Sequence, residues 1–207
     1  MPENLHKLFV ISSPSGGGKT SLINKLFEDS RSANFEKSIS DTSRQKRQGD
    51  LEGKDYYFLS EKDFKDKIKK EEYVEYATVF GNFYGTSKEE IKTKYNNSNL
   101  ILELDWQGAY AVKEIFDDAK LIFLVPPSLD DLKQRLIKRN LDSSQEIENR
   151  LSEAKKEISK SEMYDYLVLN DDFHKAFEDL SQILFEGISS IDFKSRASTD
   201  LIKRLVE

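Results

Sequence analysis

The segment from Ser12 to Ser21, SSPSGGGKTS, has the clearest chemical pattern in the chain. Its three successive glycines lack Cβ atoms, so the backbone can wrap around a polyphosphate with its N–H groups pointing inward. A helix that begins directly after them would turn its positive end toward the same anion. Lys19 would then contact the β- and γ-phosphates, and the Thr20 hydroxyl would reach Mg²⁺. The segment therefore predicts a phosphate-binding loop made of Ser13, Pro14, Ser15, Gly16, Gly17, Gly18, Lys19, Thr20 and Ser21.

The loop departs from the usual pattern Gly-x-x-x-x-Gly-Lys-Ser/Thr at one position, because Ser13 stands where the first glycine would be. The residues on either side of the loop nevertheless fit the phosphate-loop pattern. The apolar run from Leu8 to Ile11 predicts a strand before the loop, and apolar residues at helical spacing follow it between Leu22 and Phe27. The alternative is a Gly/Ser turn with a chance lysine between a strand and a helix. The order strand, loop, helix makes that alternative the weaker interpretation.

Arginines form three further groups of candidate phosphate ligands: Arg44 with Arg47, Arg135 with Arg139, and Arg150. The guanidinium group is a planar fork that binds phosphate through two hydrogen bonds and stays charged at any working pH. The alternative is a charged face exposed to solvent. It applies above all to Arg135 and Arg139, which lie four residues apart beside lysines on a predicted helix.

Acidic and aromatic side chains supply the remaining candidates. Glu75, Glu103 and Asp105 end apolar runs, and Asp105 in this position is typical of an acid that helps to hold Mg²⁺, directly or through water. The alternative for Asp105 is an ordinary strand end at the surface. Pairs of aromatic residues usually belong to the core, but Tyr56 and Tyr84 flank turns that contain glycine, where a phenol could reach a phosphate.

Composition excludes several other classes of function. The 207 residues include no cysteine and two histidines, so disulfides, thiolate metal sites and histidine metal clusters are not expected. A net charge of −6 argues against a broad basic face for nucleic acid. We find neither an apolar run long enough to span a membrane nor a secretory signal at the start. These features predict a cytoplasmic protein without a nucleic-acid or membrane partner, and they leave homo-oligomer formation open.

Hydrophobic periodicity predicts strands that alternate with helices. Ser60 with Asp63, Ser87 with Glu90, and Ser128 with Asp131 are typical of helix N-termini. The predicted strands are 8–11, 35–40, 53–59, 73–79, 82–84, 100–105, 121–125 and 166–169. The predicted helices begin near 20, 60, 87, 109, 128, 147, 173 and 197. This order indicates an α/β protein with a parallel, helix-flanked sheet, a small α+β insert at about 37–94, and ligands at the carboxyl edge of the sheet.

Several short motifs, in a fixed order, carry a family resemblance. They are SDTSRQKR at 40–47, GKDYYF at 53–58, EYA at 75–77, GNFYGT at 81–86, ELDWQGA at 103–109 and NDD at 170–172. On these motifs the chain resembles the guanylate kinases, which are nucleoside monophosphate kinases with a phosphate loop. The resemblance extends to about residue 188. Besides Ser13, the chain departs from the common pattern at Asn140, where the lid often has glycine.

The resemblance implies a single domain with three parts: a core that holds ATP (about 1–36, 95–126 and 160–207), an insert that holds GMP (about 37–94) and a lid (about 127–159). By similarity, Lys19, Arg44, Arg135, Arg139 and Arg150 are catalytic. The phosphate loop, Asn170 and Asp171 bind ATP. Ser40, Arg44, Arg47, Tyr56, Glu75, Tyr84, Thr86 and Glu103 bind GMP. Thr20 and Asp105 bind Mg²⁺, directly or through water.

The implied reaction transfers the γ-phosphoryl group of ATP to GMP. A nonenzymatic scaffold module is the first rival, and the presence of Lys19, Arg44 and Arg150 argues against it. A GTP-hydrolysing switch needs an Asn-Lys-x-Asp motif, and Asn24-Lys25 is instead followed by Leu26 and Phe27. A kinase for a sugar phosphate is disfavoured by the full set of guanine-reading residues.

Overall fold

The computed structural model describes residues 6–47, 49–79, 81–138 and 144–207. The strands are β1 (Leu8–Ser12), β2 (Phe35–Lys37), β3 (Asp41–Thr42), β4 (Tyr57–Phe58), β5 (Tyr73–Val79), β6 (Asn82–Ser87), β7 (Asn99–Glu103), β8 (Lys120–Val125) and β9 (Tyr166–Leu169). The helices are α1 (Lys19–Glu28), α2 (Glu61–Lys69), α3 (Lys88–Tyr95), α4 (Trp106–Ile115), α5 (Leu129–Lys138), α6 (Ser144–Ser159), α7 (Phe173–Ser181) and α8 (Thr199–Val206). Short 3₁₀ turns cover Ser30–Asn34 and Ser161–Met163, and a π-helical turn covers Gln182–Glu186.

A five-stranded parallel sheet has the strand order β2-β7-β1-β8-β9. Its inner strands are continuous apolar runs because helices cover both faces of such a sheet. The residues Leu8 to Ile11 of β1, for instance, are at most 1% exposed. The prediction of an α/β fold with a parallel, helix-flanked sheet is therefore confirmed.

A second sheet has the strand order β4-β3-β6-β5. β3 pairs with β4 in parallel and with β6 antiparallel, and β5 and β6 are antiparallel neighbours. Gly81, beside the start of β6, has a φ of 78°, a left-handed conformation that glycine adopts without strain. The register places Glu75 directly opposite Thr86. This sheet thereby brings two predicted guanine-reading residues side by side.

Contacts between Cα atoms divide the chain into two compact units. The first comprises Phe35–Leu102, Gln107–Ala119 and the segment that ends at Phe9. The second comprises Val10–Asn34, Glu103–Trp106 and Lys120–Glu207. The predicted insert lies wholly in the first unit and the predicted lid in the second. The functional division into core, insert and lid stays a prediction.

The first unit has an aromatic core beneath its four-stranded sheet. Phe64 of α2 stacks on Tyr73 and Phe83, with ring centroids 4.5 and 5.3 Å away. The N-termini of both predicted helices are confirmed: the Ser60 hydroxyl accepts the N–H of Asp63, and that of Ser87 accepts the N–H of Glu90. These caps satisfy backbone donors that would otherwise have no partner within the helix.

The Glu90 carboxylate makes a longer-range contact than a helix cap. It accepts the backbone N–H of Ile39 at 2.8 Å and pairs with Lys94 at 2.7 Å. Because Ile39 precedes Ser40 directly, this contact ties the start of a predicted guanine-reading segment to helix α3. The capping motif thus also fixes the backbone beside a candidate site residue.

In the second unit, α1 packs against α7, α5 packs against α6, and α6 packs against α8. Leu22, Ile23 and Leu26 of α1 are buried, as their helical spacing predicts. Helix α7 ends at Ser181, earlier than the apolar pattern to residue 188 indicates. The π-helical turn and Gly187, with a φ of 69°, follow it.

Three predicted strands in the first unit are wrong in extent, and one of them, 82–84, continues to Ser87 as β6. The strand predicted at 35–40 ends at Lys37, and the two-residue strand β3 occupies a stretch predicted as turn. The strand predicted at 53–59 is reduced to β4 because the chain turns before it. In that turn the Asp55 carboxylate accepts the N–H of Leu51, and Gly53 has a φ of 67°. An aspartate that binds a nearby backbone N–H favours a turn over a strand.

Candidate functional site

The loop between β1 and α1 has the shape of a phosphate cradle. Gly16 and Gly18 have φ angles of 85° and 92°, which only glycine adopts readily, and the N–H of Gly17 donates to the Pro14 carbonyl at 2.8 Å. A pocket forms over the loop, at the N-terminal end of α1. Its walls are Ser13, Pro14, Ser15, Gly16, Gly17, Gly18, Lys19, Thr20, Glu103, Asp105 and Glu157. Backbone N–H groups at a helix N-terminus favour an anion here.

Ser13 fits the loop although a glycine is usual at its position. A Cβ atom on Gly17 would lie 2.8 Å from both the Cβ and the Oγ of Ser13. The absence of a side chain at Gly17 therefore makes room for the serine. The Ser13 hydroxyl donates to the Pro14 carbonyl at 3.1 Å, within the same tight turn.

The end of β7 delivers acidic residues to this pocket. The Thr20 hydroxyl donates to the Glu103 carboxylate at 2.7 Å, and the Lys19 ammonium donates to the Leu104 carbonyl at 3.3 Å. The Asp105 carboxylate lines the same pocket. The strand that was predicted to carry acids to a ligand therefore ends beside the phosphate loop. Glu103, predicted to read guanine, here contacts the loop threonine.

Glu157 of α6 is a wall of the pocket that the sequence analysis missed. Burial raises the pKa of this carboxyl from its ordinary 4.5 to about 7. Lys19 partly offsets the rise, whereas the charges of Asp105 and Glu153 add to it. Helical spacing could have indicated this position, because Glu157 follows the buried Ala154 by three residues and therefore lies on the same face of α6. Because the neighbouring residues are largely charged, Glu157 resembles one more exposed residue of a polar helix.

The described arginines of the predicted lid contact the residues predicted to bind ATP. Arg150 of α6 donates to the Ser15 hydroxyl at 2.8 Å, and Arg135 of α5 donates to the Asn170 carbonyl at 2.9 Å. Arg135 is thus not simply part of a solvated face. The third predicted lid arginine, Arg139, and the neighbouring Asn140 lie outside the described residues.

Asn170 braces the phosphate loop from beneath. It is 4% exposed, and its side-chain amide donates to the Gly17 carbonyl at 2.7 Å. A Cβ atom on Gly18 would lie only 2.4 Å from that amide nitrogen, so the loop and Asn170 are in direct contact. Asp171, the next residue, pairs with Arg196 at 2.6 Å, and this contact holds the pKa of the Asp171 carboxyl below its usual range. Arg196 is a second residue that the sequence analysis missed.

In the first unit, the predicted guanine-reading residues Ser40, Glu75 and Thr86 come together. The hydroxyl oxygens of Ser40 and Thr86 are 3.3 Å apart, and Glu75 faces Thr86 across the β5–β6 ladder. Thr86 is fully buried. The group combines a carboxylate with two hydroxyls, which can accept and donate hydrogen bonds to the edge of a base.

A second group in the first unit joins Arg44, Tyr56 and Tyr84. The Arg44 guanidinium lies 5.5 Å from the centroid of the Tyr56 ring, which meets the Tyr84 ring edge to face at 5.7 Å. Arg44 also pairs with Asp50 at 2.9 Å, and this contact raises the pKa of Arg44 and lowers that of Asp50. Arg47 contributes its backbone N–H to the same carboxylate at 2.7 Å. Asp50 was not predicted.

A buried polar network supports β3 directly after Ser40. Asp41 is 4% exposed and accepts hydrogen bonds from the Tyr73 hydroxyl and the Lys67 ammonium. Burial and the neighbouring Asp41 carboxylate raise the pKa of Tyr73, which therefore stays protonated as a donor. A buried charge needs such partners, and the network fixes the backbone that carries Ser40.

Among residues 6–47, 49–79, 81–138 and 144–207, no helix is long and apolar enough to span a membrane. Within those same ranges no group of three or more acidic, histidine or cysteine side chains is arranged to hold a metal by itself. Oxygen atoms of the pocket walls include the Thr20 hydroxyl and the carboxyl groups of Glu103, Asp105 and Glu157. Such a sparse set of hard oxygen ligands suits Mg²⁺, which is usually held by one or two protein groups together with phosphates and water.

A parallel α/β sheet with a glycine-rich cradle, a lysine and a threonine at the end of its first strand defines a phosphate-loop nucleotide-binding protein. Comparison with known proteins gives the family. The family model described as guanylate kinase matches residues 5–187, and the chain belongs to that family.

The similarity to individual relatives extends over almost the whole chain. A guanylate kinase of Wolbachia sp. subsp. Brugia malayi is 45% identical over 88% of this chain and 93% of its own length. One from Buchnera aphidicola subsp. Schizaphis graminum is 46% identical over 97% of both chains. The crystal structure of guanylate kinase from Anaplasma phagocytophilum superposes with a TM-score of 0.70 at 33% identity and covers 98% of this chain and 95% of that one.

Proposed function

We propose that the chain catalyses the reaction of its family, the transfer of the γ-phosphoryl group of ATP to GMP to give ADP and GDP, with the residues described above. The observation that carries the proposal is the phosphate loop with Lys19 and Thr20 beside the acids at the end of β7. The grouping of Ser40, Glu75 and Thr86 supports guanine as the base of the acceptor.

On the ATP side, the backbone N–H groups of the loop and the Lys19 ammonium bind the β- and γ-phosphates. The roles proposed for Arg135, Arg139 and Arg150 are to stabilise charge along the path of the transferred group. Contacts of Arg150 with Ser15 and of Arg135 with Asn170 support two of these roles, because both partners belong to the proposed ATP site. Asn170 and Asp171 lie near the adenine in this proposal.

On the GMP side, Arg44, Arg47, Tyr56 and Tyr84 bind the acceptor phosphate, and Ser40, Glu75, Thr86 and Glu103 read guanine. The pairing edge of guanine offers N–H donors at N1 and N2 and an acceptor at O6, which carboxylates and hydroxyls complement. A carboxylate accepts several hydrogen bonds, so the contact of Glu103 with Thr20 is compatible with this role. Contact with Asp50 holds the Arg44 fork in a fixed position before a phosphate arrives.

The chemistry requires no strong general base, because the acceptor oxygen of GMP is already ionised. Catalysis therefore consists of positioning and electrostatic stabilisation. Lys19 and the arginines offset the repulsion between two polyanions. Closure of the lid, proposed at about 127–159, would exclude water, which otherwise competes as the acceptor.

A divalent metal accompanies ATP in this family, and Mg²⁺ is the ion proposed here. The oxygen donors beside the loop fit it: Thr20 would bind it directly, and Asp105 directly or through water. When bound, it would neutralise charge on the β- and γ-phosphates. ATP and GMP are nucleotides of the cell interior, so the cytoplasm is the compartment that this reaction favours.

A transfer assay with ATP and each of GMP, AMP, CMP and UMP tests the proposal. We expect GMP to be phosphorylated with a kcat/KM several orders of magnitude above that for AMP, because a site built on hydrogen bonds rejects a base that leaves its buried groups unpaired. Equal use of AMP and GMP would refute the base-reading roles. Absence of transfer to any of the four would support the scaffold alternative.

A further inference from the structure

The family match ends at residue 187, and the twenty residues beyond it form what we call the C-terminal arm (188–207). The arm packs closely on the second unit. Phe193 is buried against the ring of Tyr166 at 5.7 Å, and the Tyr166 hydroxyl donates to the Ile188 carbonyl at 2.8 Å. Helix α8 at its end packs against α6. The arm is therefore an integral part of this unit.

Arg196 is the polar centre of the arm. Its guanidinium donates to the Asp171 carboxylate at 2.6 Å, to the Asp179 carboxylate at 3.1 Å and to the Leu169 carbonyl at 2.8 Å. The three acceptors come from β9, the turn after it and helix α7. Planar guanidinium is the side chain best able to hold several acceptors in fixed directions, and lysine cannot reproduce the pattern.

The segment that Arg196 holds is the one that braces the phosphate loop. Leu169 and Asp171 flank Asn170, whose side-chain amide donates to the Gly17 carbonyl. The backbone N–H of Asn170 donates to the Val125 carbonyl of β8, and its carbonyl accepts Arg135. Both neighbours of Asn170 are thus held by the arm while Asn170 itself contacts the loop. Displacement of the segment would move the Asn170 amide and with it the Gly17 carbonyl.

We propose that Arg196 is a positioning residue for ATP: from the C-terminal arm it fixes residues 169–171, and through Asn170 it fixes the phosphate loop in the conformation that binds the polyphosphate. The proposal rests on the ATP-binding role of the loop. It assigns a task to a part of the chain beyond the family match, and it separates ATP binding from GMP binding, because the residues proposed for the GMP phosphate lie in the first unit.

The variant Arg196→Ala tests the proposal. We expect the KM for ATP to rise about tenfold, which is on the order of the loss of one charge-assisted hydrogen bond. The KM for GMP should stay within about twofold, because no contact in its group is changed. The variant Arg196→Lys keeps the charge but not the fork, and an intermediate KM for ATP is expected. Binding of ATP with Mg²⁺, measured by calorimetry, should weaken in parallel with the KM.

Arg31→Ala is the matched control. Arg31 also pairs with an aspartate, Asp29, and its other contacts in the described ranges are with Ser181, Phe185 and Glu186, at the end of α7 and the turn after it. The variant Arg31→Ala therefore removes a comparable ion pair without changing any contact of residues 169–171. We expect its KM for ATP to equal that of the wild type. Thermal melting of each variant reports whether the fold is kept.

Two results would overturn the proposal: an unchanged KM and calorimetric affinity for ATP in Arg196→Ala, or equal losses for ATP and GMP that Arg31→Ala reproduces. If Arg196→Ala does not fold, Arg196→Lys decides by the same two comparisons. The calorimetric measurement does not depend on turnover. A wild-type chain that binds ATP but does not phosphorylate GMP would refute the proposed function and leave the positioning role of Arg196 to be judged by affinity alone.

Discussion

Replacement of Glu157 by glutamine should stabilise the protein, and increasingly so as the pH rises. Glu157 lines the phosphate-loop pocket, where burial raises its pKa from 4.5 to about 7. A carboxyl group whose pKa is higher in the folded than in the unfolded chain binds more protons when folded. The stability of the wild type therefore falls as the pH rises from about 4.5 to about 7 and stays lower above it. Glutamine keeps the shape and cannot ionise.

The expected size follows from the same pKa. Each pKa unit corresponds to about 1.4 kcal/mol, so a rise from 4.5 to about 7 means that ionising Glu157 in the folded protein costs roughly 3 kcal/mol. The variant Glu157→Gln should therefore have a free energy of unfolding higher than that of the wild type by this amount at pH 8, and almost equal to it near pH 4.5. For a domain of this size the gain corresponds to a Tm higher by about 5–10 °C.

The assay is thermal unfolding between pH 5 and pH 8, without nucleotide or magnesium, for the wild type, Glu157→Gln and the control Glu153→Gln. Glu153 lies one turn earlier on α6, is largely exposed and pairs with Lys156, so its loss should change Tm little at any pH. A Tm difference between Glu157→Gln and the wild type that is the same at both ends of the range would refute the argument from burial. So would a lower Tm of the variant at pH 8.

Lys19→Met should lower kcat by at least ~10²-fold in a chain that still folds, because Lys19 acts mainly on phosphate charge; steady-state kinetics with near-normal turnover would contradict the loop assignment. Arg150→Ala should lower kcat far more than it raises the KM for GMP, since a lid arginine meets charge that develops during transfer. A higher KM at constant kcat would make it a residue for substrate binding. Glu75→Gln should reduce kcat/KM for GMP and narrow the preference over AMP with unaltered ATP affinity, and an unchanged GMP to AMP ratio would show that Glu75 does not read the base.

The parts of this protein that sequence reasoning predicted best are those in which local pattern and tertiary role agree. The strand, loop and helix around Lys19 follow from residue spacing alone, and each apolar run of the parallel sheet became a strand. Caps at Ser60 and Ser87 were readable because the acceptor and its donor are three residues apart. All of these signals act within a few residues.

The features that sequence reasoning missed depend on contacts between distant residues. β3 and β4 have two residues each, too few for an alternating pattern, and they exist because β6 pairs with β3. Arg196 and Asp171 are 25 residues apart, and nothing near either residue marks the pair. Asp50 resembles any surface aspartate until Arg44 folds onto it. The role of each such residue depends on a partner that is distant in sequence, and only the folded structure shows which residue that partner is.

The C-terminal arm also has a consequence for how the sheet ends. β9 is an outer strand, and at its outer edge the carbonyls of Leu167 and Leu169 accept hydrogen bonds from Ser195 and Arg196. An outer strand with unsatisfied carbonyls is a template on which another chain can add a strand, and proteins block this by short strands or by cover. The sheet uses both means, since the opposite outer strand, β2, has three residues. Arg196, proposed above to position the phosphate loop, thus also covers part of this edge and makes the addition of a further strand less favourable.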